Sequence, residues 1–574
     1  MPSYNRLQTS SAWQKPPKNT SPKFIFVSGG VMSALGKGIT AASISMLLKK
    51  HGYIVCPIKC ENNLNVDFGT INPIEHGDPF LCHDGLEADV DLGNYERFLN
   101  QPVGSENFMT MGQLYSTVIS NERALKYHGE DVEPIPHIVE EIIERYKLAA
   151  KSNNADYVVI ELGGTVGEYE NNNGLYYEAA RRLAFQYPVA HVHVTYVPVP
   201  PHVGEPKTKP AQFGIKELMS MGIYPDFIVV RSEIPLDDQR KYKFAMKFNI
   251  DPNNVFSNEN LKSSDEVPIH LHKQKIDERI LSLFGDKSKK IDIEDWTNYV
   301  NKLIKNKSKT VKIGIVGKYL ASGESQSIDS YYALVKALEH AATNQNHNLK
   351  IKFINAETDE KNMKTELKDV DGIIVPIGWG SRGVEGKINA ITYARENKVP
   401  YLGLCYGMQL ACVEFARNVV GLTGANSVEV NPKTKYPIIH SIPFDSKYQV
   451  IKAEGSSMRL GTYKCVLKKG SLAEKVYNLH DYMDDKENRV VSERHRHRFE
   501  FNNEYREELE KAGLVISGTS PDNFFVEFIE LDKKDHPFFI ATQGHPEYKS
   551  TPLIPHPLFV EFVKASVKTT AHKK

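Results

Sequence analysis

Residues 24–40, Phe-Ile-Phe-Val-Ser-Gly-Gly-Val-Met-Ser-Ala-Leu-Gly-Lys-Gly-Ile-Thr, constrain the fold more than any other stretch. The opening run is apolar and rich in aromatic and β-branched residues, the pattern of a buried strand. It enters a glycine-rich turn and then a helical pattern marked by Ile39, Ser43, Met46 and Leu47. Strand, glycine loop and helix start, in that order, make a cradle for phosphate. Glycines let consecutive backbone N–H groups face an anion, the helix start adds its positive dipole end, and Lys37 adds a point charge. The spacing departs from the common P-loop, because five residues separate Gly30 from Gly36 and Gly38 follows Lys37 where Ser or Thr is usual. Taken alone, the stretch also suits a glycine-rich hairpin that binds nothing.

A chain of 574 residues has room for two to four domains. Lysine plus arginine and aspartate plus glutamate both total 71, so no global field points to nucleic acid or a membrane surface. No run approaches the roughly 20 apolar residues that span a bilayer, and residues 1–22 are polar with no hydrophobic signal core. Those residues read as a disordered leader and the chain as cytoplasmic. Six cysteines are too few for a disulfide scaffold in so long a chain, and Cys56 and Cys60 lack zinc-site partners. From Lys23 to Gly285, candidate strands at 24–28, 54–58, 157–161, 191–197 and 226–231 alternate with helical segments such as 137–151 and 174–186. That order predicts an α/β fold with a doubly wound, mostly parallel sheet. Residues 286–310 read as a linker carrying one amphipathic helix, and a second α/β pattern runs over 311–567, followed by a short frayed tail, 568–574.

In the first half, Asp84-Gly85-Leu86-Glu87-Ala88-Asp89-Val90-Asp91 is a glycine-punctuated acidic loop. Carboxylates near a phosphate loop suit a nucleotide-bound hard cation, and Asp91 is the first choice of ligand. Glu161 ends the apolar strand Tyr157–Ile160, at the edge where open α/β sheets bind ligands, and is the second. Either residue alone also reads as a solvated loop acid. Lys37 and Lys59 lie near other strand ends, and Lys207-Thr208-Lys209, flanked by Pro206 and Pro210, forms a rigid cationic rung suited to a polyphosphate.

In the second half, Val399–Gln409 reads as a strand running into Gly403-Leu404-Cys405-Tyr406-Gly407 and then a helix. This is the cysteine counterpart of a nucleophile elbow, and a helix start favours the reactive thiolate. A buried structural cysteine is the alternative. A thiolate needs a base and the base an orienting partner, which Gln543-Gly544-His545-Pro546-Glu547 supplies. Arg494-His495-Arg496-His497-Arg498 in isolation would suit a nucleic-acid patch, but it is short and the chain is neutral.

Four stretches closely resemble the CTP synthase family: the Gly30–Gly38 loop, His76-Gly77 through Asp91-Leu92-Gly93-Asn94-Tyr95-Glu96-Arg97-Phe98, Gly163-Gly164-Thr165-Val166-Gly167, and Lys207-Thr208-Lys209-Pro210. The resemblance covers nearly the whole chain from Lys23 onward. It implies a P-loop-like amidoligase half in which ATP phosphorylates O4 of UTP and ammonia displaces that phosphate to give CTP. Matched residue by residue, Ser33 would touch the UTP or CTP phosphates, and Ala34, Leu35, Gly36, Lys37, Gly38 and Ile39 would hold ATP, with Lys59 also at the nucleotides. Asp91 and Glu161 would bind Mg²⁺. Lys207, Thr208, Lys209, Pro210, Ala211, Gln212 and Lys243 would hold UTP, and Glu168, Tyr169 and Glu170 would take part in feedback binding of CTP.

Cys405, His545 and Glu547 resemble the triad of class I glutamine amidotransferases, which implies ammonia release from glutamine. By that match the N–H groups of Tyr406 and Gly378 would form the oxyanion hole. Glu429 and Arg498 would grip the glutamine α-groups, and Gly407, Met408 and Gln409 would complete the pocket. The family further implies GTP as activator, CTP as inhibitor, and a homotetramer that can form filaments.

The chain departs from the family pattern at several places. Cys60-Glu61-Asn62-Asn63 follows Lys59 where Asp-Pro-Tyr is usual, and Asn171-Asn172-Asn173-Gly174 replaces Ser-Met-Pro-Phe. Glu168 stands where aspartate is common, and Glu259-Asn260-Leu261 lacks the adenine-side lysine and aspartate. Ile377 replaces the first of two glycines, so strain is expected if that glycine uses φ > 0. Tyr406 replaces a leucine, with little consequence expected because its backbone carries the role. Gly544 replaces a phenylalanine, with looser packing of His545 expected. Two other readings stand beside the enzyme: a glutamine-fed amidoligase acting on a carboxylate, and a regulatory or filament-forming paralogue.

Overall fold

Seven parallel strands account for the alternation read between Lys23 and Gly285: β1 (Lys23–Gly29), β2 (Val55–Glu61), β3 (Phe108–Thr110), β4 (Tyr157–Glu161), β5 (Val189–Tyr196), β6 (Phe227–Ser232) and β7 (Val255–Glu259). Their order in the sheet is β3-β2-β4-β1-β5-β6-β7. A parallel sheet is covered on both faces, which is why its strands read as continuous apolar runs. Phe24, Ile25, Phe26 and Val27 are all fully buried at its centre. The computed structural model describes residues 21–30, 32–167, 173–320, 328–442, 450–451 and 457–572. The leader up to residue 20 and the expected CTP-feedback residues Glu168, Tyr169 and Glu170 lie outside these residues.

The chain divides into two compact units, one formed by Met1–Thr70 with Asp91–Ile304 and the other by Ile71–Val90 with Lys305–Lys574. Helix Glu294–Ile304, read in the sequence as part of a linker, packs within the first unit. Its Trp296 is fully buried, donates to Asp265 O at 2.8 Å and lies against Phe98. Residues 71–90 lie before Asp91 in sequence but belong to the second unit, where Phe80–Leu81 and Glu87–Ala88 pair as a small hairpin.

The second unit is built on a ten-stranded sheet. Five strands are parallel: Asn348–Asn355, Thr310–Gly317, Gly372–Val375, Tyr401–Leu404 and Phe539–Thr542, in that spatial order. Antiparallel strands extend it, among them Ser457–Leu467 paired with Val490–His497. The closing helix, Pro557–His572, continues through residues read as a frayed tail. Among the described residues, no helix is long and apolar enough to cross a membrane.

Candidate active sites

In the first unit, β1 delivers the chain to the glycine loop, and α1 (Lys37–Lys50) leaves it. Gly36 takes φ +84° as the residue before the helix, a left-handed conformation open to glycine. Ala34 is also left-handed, with φ +56°. Ser33 and Ala34 are exposed and Leu35 is buried. The Lys37 ammonium donates to Gly164 O in the loop after β4. Burial lowers the Lys37 pKa, opposed chiefly by the charge of Glu161.

Lys59, at the carboxyl end of β2, is the hub of this site. Its Nζ lies 2.7 Å from Asp91 Oδ2, 2.9 Å from Glu161 Oε1 and 3.2 Å from Glu61 Oε1. Tyr95 donates to Glu161 Oε2 at 2.5 Å, and Asn94 to Asp91 Oδ1 at 3.1 Å. Burial raises the Glu161 pKa. Burial pushes Asp91 the same way, but the Lys59 charge and hydrogen bond overcome it and hold Asp91 low. Glu61, one of the departures from the family pattern, thus adds a third carboxylate around Lys59.

The glycine after Lys37 now has a physical reason. A Cβ at Gly38 would fall 2.3 Å from Asp91 Oδ1, so the Asp91 carboxylate occupies the place that a Ser or Thr side chain takes in the common P-loop. Of the acidic loop, Asp91 reaches this site. Glu87 sits in the second unit and pairs with Arg496. No group of three or more His, Cys, Asp or Glu side chains forms a metal cage among the described residues. Two hard carboxylates plus phosphate oxygens and water are the usual surroundings of Mg²⁺, so Asp91 and Glu161 fit that ion.

The Lys207–Gln212 rung lies at the start of helix α2 (Lys209–Ser220). Lys207 is partly exposed and pairs with Glu205, while Lys209 and Pro210 are exposed. Thr208, Ala211 and Gln212 are buried; Gln212 donates to Thr208 Oγ1 at 3.0 Å and accepts from Lys247 at 2.5 Å. Lys243 is exposed on helix α3 (Asp238–Phe248).

In the second unit, Cys405 stands between strand Tyr401–Leu404 and helix α4 (Tyr406–Phe415) with φ +52° and ψ −101°. A non-glycine residue in that region is strained and is held there by its surroundings. A Cβ at Gly403 would meet Tyr401 OH at 2.7 Å, and one at Gly407 would meet Val375 O at 2.0 Å. The elbow therefore needs both glycines. Cys405 Sγ accepts from Gln543 Nε2 at 3.5 Å and lies 3.7 Å from Arg496 O.

His545 is fully buried, and its Nδ1 lies 2.7 Å from Glu547 Oε1. Its backbone N–H donates to Arg494 O at 2.7 Å, and its ring lies 5.4 Å from that of Tyr548. Burial alone would lower the His545 pKa. The electrostatic pull of Glu547, and after it of Cys405, outweighs burial and pushes it up to about 10. This imidazolium contributes stability fully below pH 6.5, and the contribution is lost as pH rises through about 10. His545 stays buried beside Gly544, whose Cβ would meet Glu493 Cβ at 2.8 Å.

Gly378 lies beside Tyr406, and the carbonyls around it are occupied. Lys387 Nζ donates to Pro376 O at 2.9 Å and Ile377 O at 3.3 Å, and Lys318 Nζ donates to Trp379 O and Gly380 O. A trans peptide points C=O and N–H in opposite directions, so a carbonyl of Ile377 held on Lys387 turns the Gly378 N–H away from that lysine. The Tyr406 N–H opens a helix and lacks an intrahelical acceptor. Ile377 is not among the residues with positive φ, so the strain expected at this β-branched residue does not arise. The Tyr406 side chain, expected to matter little, donates to Gly380 O at 2.8 Å.

Glu429 Oε1 accepts from Gly380 N at 2.5 Å. Burial raises its pKa, while Lys318 and Arg498 are close enough to pull it down. Met408 is buried in α4, and the Gln409 amide donates to Phe499 O at 2.8 Å. Residues 494–497 are buried rather than a surface patch, with Arg494 donating to Leu81 O at 2.9 Å and Arg496 pairing with Glu87 and Asp78, while Arg498 is half-buried. Tyr548 donates to Asp78 Oδ2 at 3.0 Å, so residues 71–90 brace the residues next to His545. Sequence reading missed this, because the partners lie more than 400 positions apart.

Both halves of the chain match known protein families. Residues 23–285 match the model for the CTP synthase N-terminus, and residues 326–565 match that for class-I glutamine amidotransferase. A CTP synthase of Caldanaerobacter subterraneus subsp. tengcongensis is 47% identical over 547 residues, covering 95% of this chain and 98% of that protein. One from Bacillus subtilis is 45% identical over 555 residues, covering 96% and 100%. A solved structure of the glutaminase domain of Trypanosoma brucei CTPS with bound acivicin is 36% identical, covers 45% of this chain and 94% of its own, and has a TM-score of 0.40. With relatives matched across nearly their whole length and both family models placed in sequence, the chain belongs to the CTP synthase family.

Proposed function

We propose that this protein is a cytoplasmic, glutamine-dependent CTP synthase that converts UTP to CTP at the expense of ATP. The observation that carries the reading is a near full-length family match in a chain that holds Lys59 against Asp91 and Glu161 in one unit and His545 against Glu547, with Cys405 at a sharp turn, in the other.

In the second unit, the Cys405 thiolate attacks the side-chain carbonyl of glutamine. The oxygen that becomes negative faces the N–H groups of Gly378 and Tyr406. His545, oriented by Glu547, gives its proton to the departing nitrogen, which leaves as ammonia, and water then cleaves the thioester to glutamate. In the first unit, O4 of UTP attacks the γ-phosphorus of ATP, whose bond to the β,γ-bridging oxygen breaks and releases ADP. Lys37 meets the charge spread over the transferred phosphoryl, and Lys59 keeps Asp91 and Glu161 in register. Ammonia then adds at C4 and phosphate leaves. Asp91 and Glu161 would hold Mg²⁺, which supplies charge neutralisation at the triphosphate oxygens. Ammonia in water at neutral pH is mostly protonated and non-nucleophilic, so delivery within the protein keeps it reactive. Lys207–Gln212 and Lys243 grip UTP, while Glu429 and Arg498 hold the glutamine α-groups. GTP activation, CTP inhibition through Glu168–Glu170 and a tetramer are proposed with the family. Incubation with ATP, Mg²⁺ and UTP, first with ammonium and then with glutamine, is expected to yield CTP from both. Absence of CTP with ammonium would refute the enzyme.

Two further results are expected. Glu547→Gln removes the negative charge that keeps His545 protonated, so the alkaline limb of the pH profile for glutamine hydrolysis should move to lower pH, by about one to three units. An unmoved limb would mean that Glu547 does not set that ionisation. Gly38→Ala forces the Asp91 carboxylate off Lys59. The clash is with the end of a flexible side chain, so the unfolding midpoint should hardly change. CTP formation with ammonium should fall about tenfold or more, with a higher Mg²⁺ requirement.

A further inference from the structure

At the carboxyl end of β5, two polar side chains remain unused by the chemistry above. His193 and Thr195 are fully buried. The parallel register of β1 and β5 sets Ser28 opposite His193. Because side chains alternate along a strand, Phe26 and His191, Ser28 and His193, then Gly30 and Thr195 follow one another on one face. Phe26 stacks on His191 with centroids 5.4 Å apart. The row therefore turns from apolar to polar as it nears the edge where open parallel sheets bind ligands.

Ser28 Oγ lies 2.9 Å from His193 Nδ1, which fixes the imidazole. Among the described residues, His193 Nε2 and Thr195 Oγ1 have no hydrogen-bond partner. Both converge on one spot: a Cβ at Gly30 would lie 2.8 Å from Nε2 and 3.5 Å from Oγ1. Two polar atoms sealed from water without partners are costly unless something arrives to satisfy them. Helix α1, whose start is the expected ATP site, adds no residue to the core holding Phe24 and Phe26 on this face. Two residues beyond Thr195, Val197 shares a core with Ala211 and Ile215 of α2, the helix that begins at the Lys207–Gln212 rung. The row thus looks toward the expected pyrimidine-nucleotide side.

We propose that His193, with Thr195 beside it, is a further positioning residue of the synthetase site, whose Nε2 hydrogen-bonds a polar group of UTP held over Gly30. The inference rests on the CTP synthase reading. Burial, with the Lys37 charge acting the same way, pushes the His193 pKa down to about 3, so the ring acts as a neutral hydrogen-bonding group.

The test uses the full chain with ammonium as nitrogen donor and compares His193→Leu and His193→Gln with the unmodified protein, following the unfolding midpoint alongside. His193→Leu should lower kcat/KM for UTP by about tenfold to a hundredfold and change half-saturation by ATP less than about threefold. His193→Gln, whose amide reaches a similar place, should recover most of the loss. Unchanged kcat/KM for UTP in His193→Leu, equal losses toward UTP and ATP, or a glutamine variant as poor as leucine would each overturn the proposal. Should the leucine variant fail to fold, Thr195→Val decides, with a UTP-selective loss of about threefold or more expected. No such loss would overturn it. Failure of the unmodified protein to make CTP would instead sink the functional reading.

Discussion

Cys405→Ala is expected to lower CTP formation from glutamine by about 10⁴-fold or more while leaving formation from ammonium essentially intact. The size follows from geometry. Cys405 is the first residue before α4, held at φ +52° by glycine neighbours that tolerate no side chain, and its sulfur has no substitute nearby. The remaining five cysteines are buried elsewhere, and Cys412, on the same helix, has its pKa pushed far up by burial. Parallel assays with the two nitrogen donors check this result. Equal losses with both would mean that the substitution damages more than glutamine hydrolysis.

Lys37→Met carries the second large effect, and it separates the halves the other way. The Lys37 ammonium is the fixed charge at the helix start, tied to Gly164 O beside Glu161. Methionine keeps the volume and loses the charge. A positioned donor meeting transition-state charge is worth about 10² to 10³ in rate, so CTP should fall by that factor with either ammonium or glutamine. Glutamine hydrolysis measured without nucleotides should persist. A variant still active with ammonium would remove Lys37 from phosphoryl transfer.

Much of this was legible in the residues, for reasons that differ from place to place. The Phe24–Val27 run and the loop to Lys37 announced a central parallel strand, because burial on both faces leaves a continuous apolar pattern. The cysteine elbow announced itself through small neighbours that a sharp turn requires. Strands β3 and β7 escaped notice, the first being only three residues long and the second, Val-Phe-Ser-Asn-Glu, lacking an apolar run. The reason for Gly38 became visible only once Asp91 was seen against it. Residues 71–90 read as part of the nucleotide half because they lie within it in sequence. Their partners Arg494, Arg496 and Tyr548 are distant, and no local pattern encodes such pairings. His193 was passed over because a lone histidine in a strand reads as core until its unpaired nitrogen is located.

The central claim is that nitrogen leaves glutamine at Cys405 and ends on the pyrimidine ring, and amide-¹⁵N glutamine tests it most directly. With ATP, Mg²⁺, UTP and unlabelled ammonium as competitor, the account predicts CTP whose exocyclic amino group carries the glutamine label well above its share of the free ammonia pool. CTP carrying only the ammonium isotope, or no CTP at all, would contradict it.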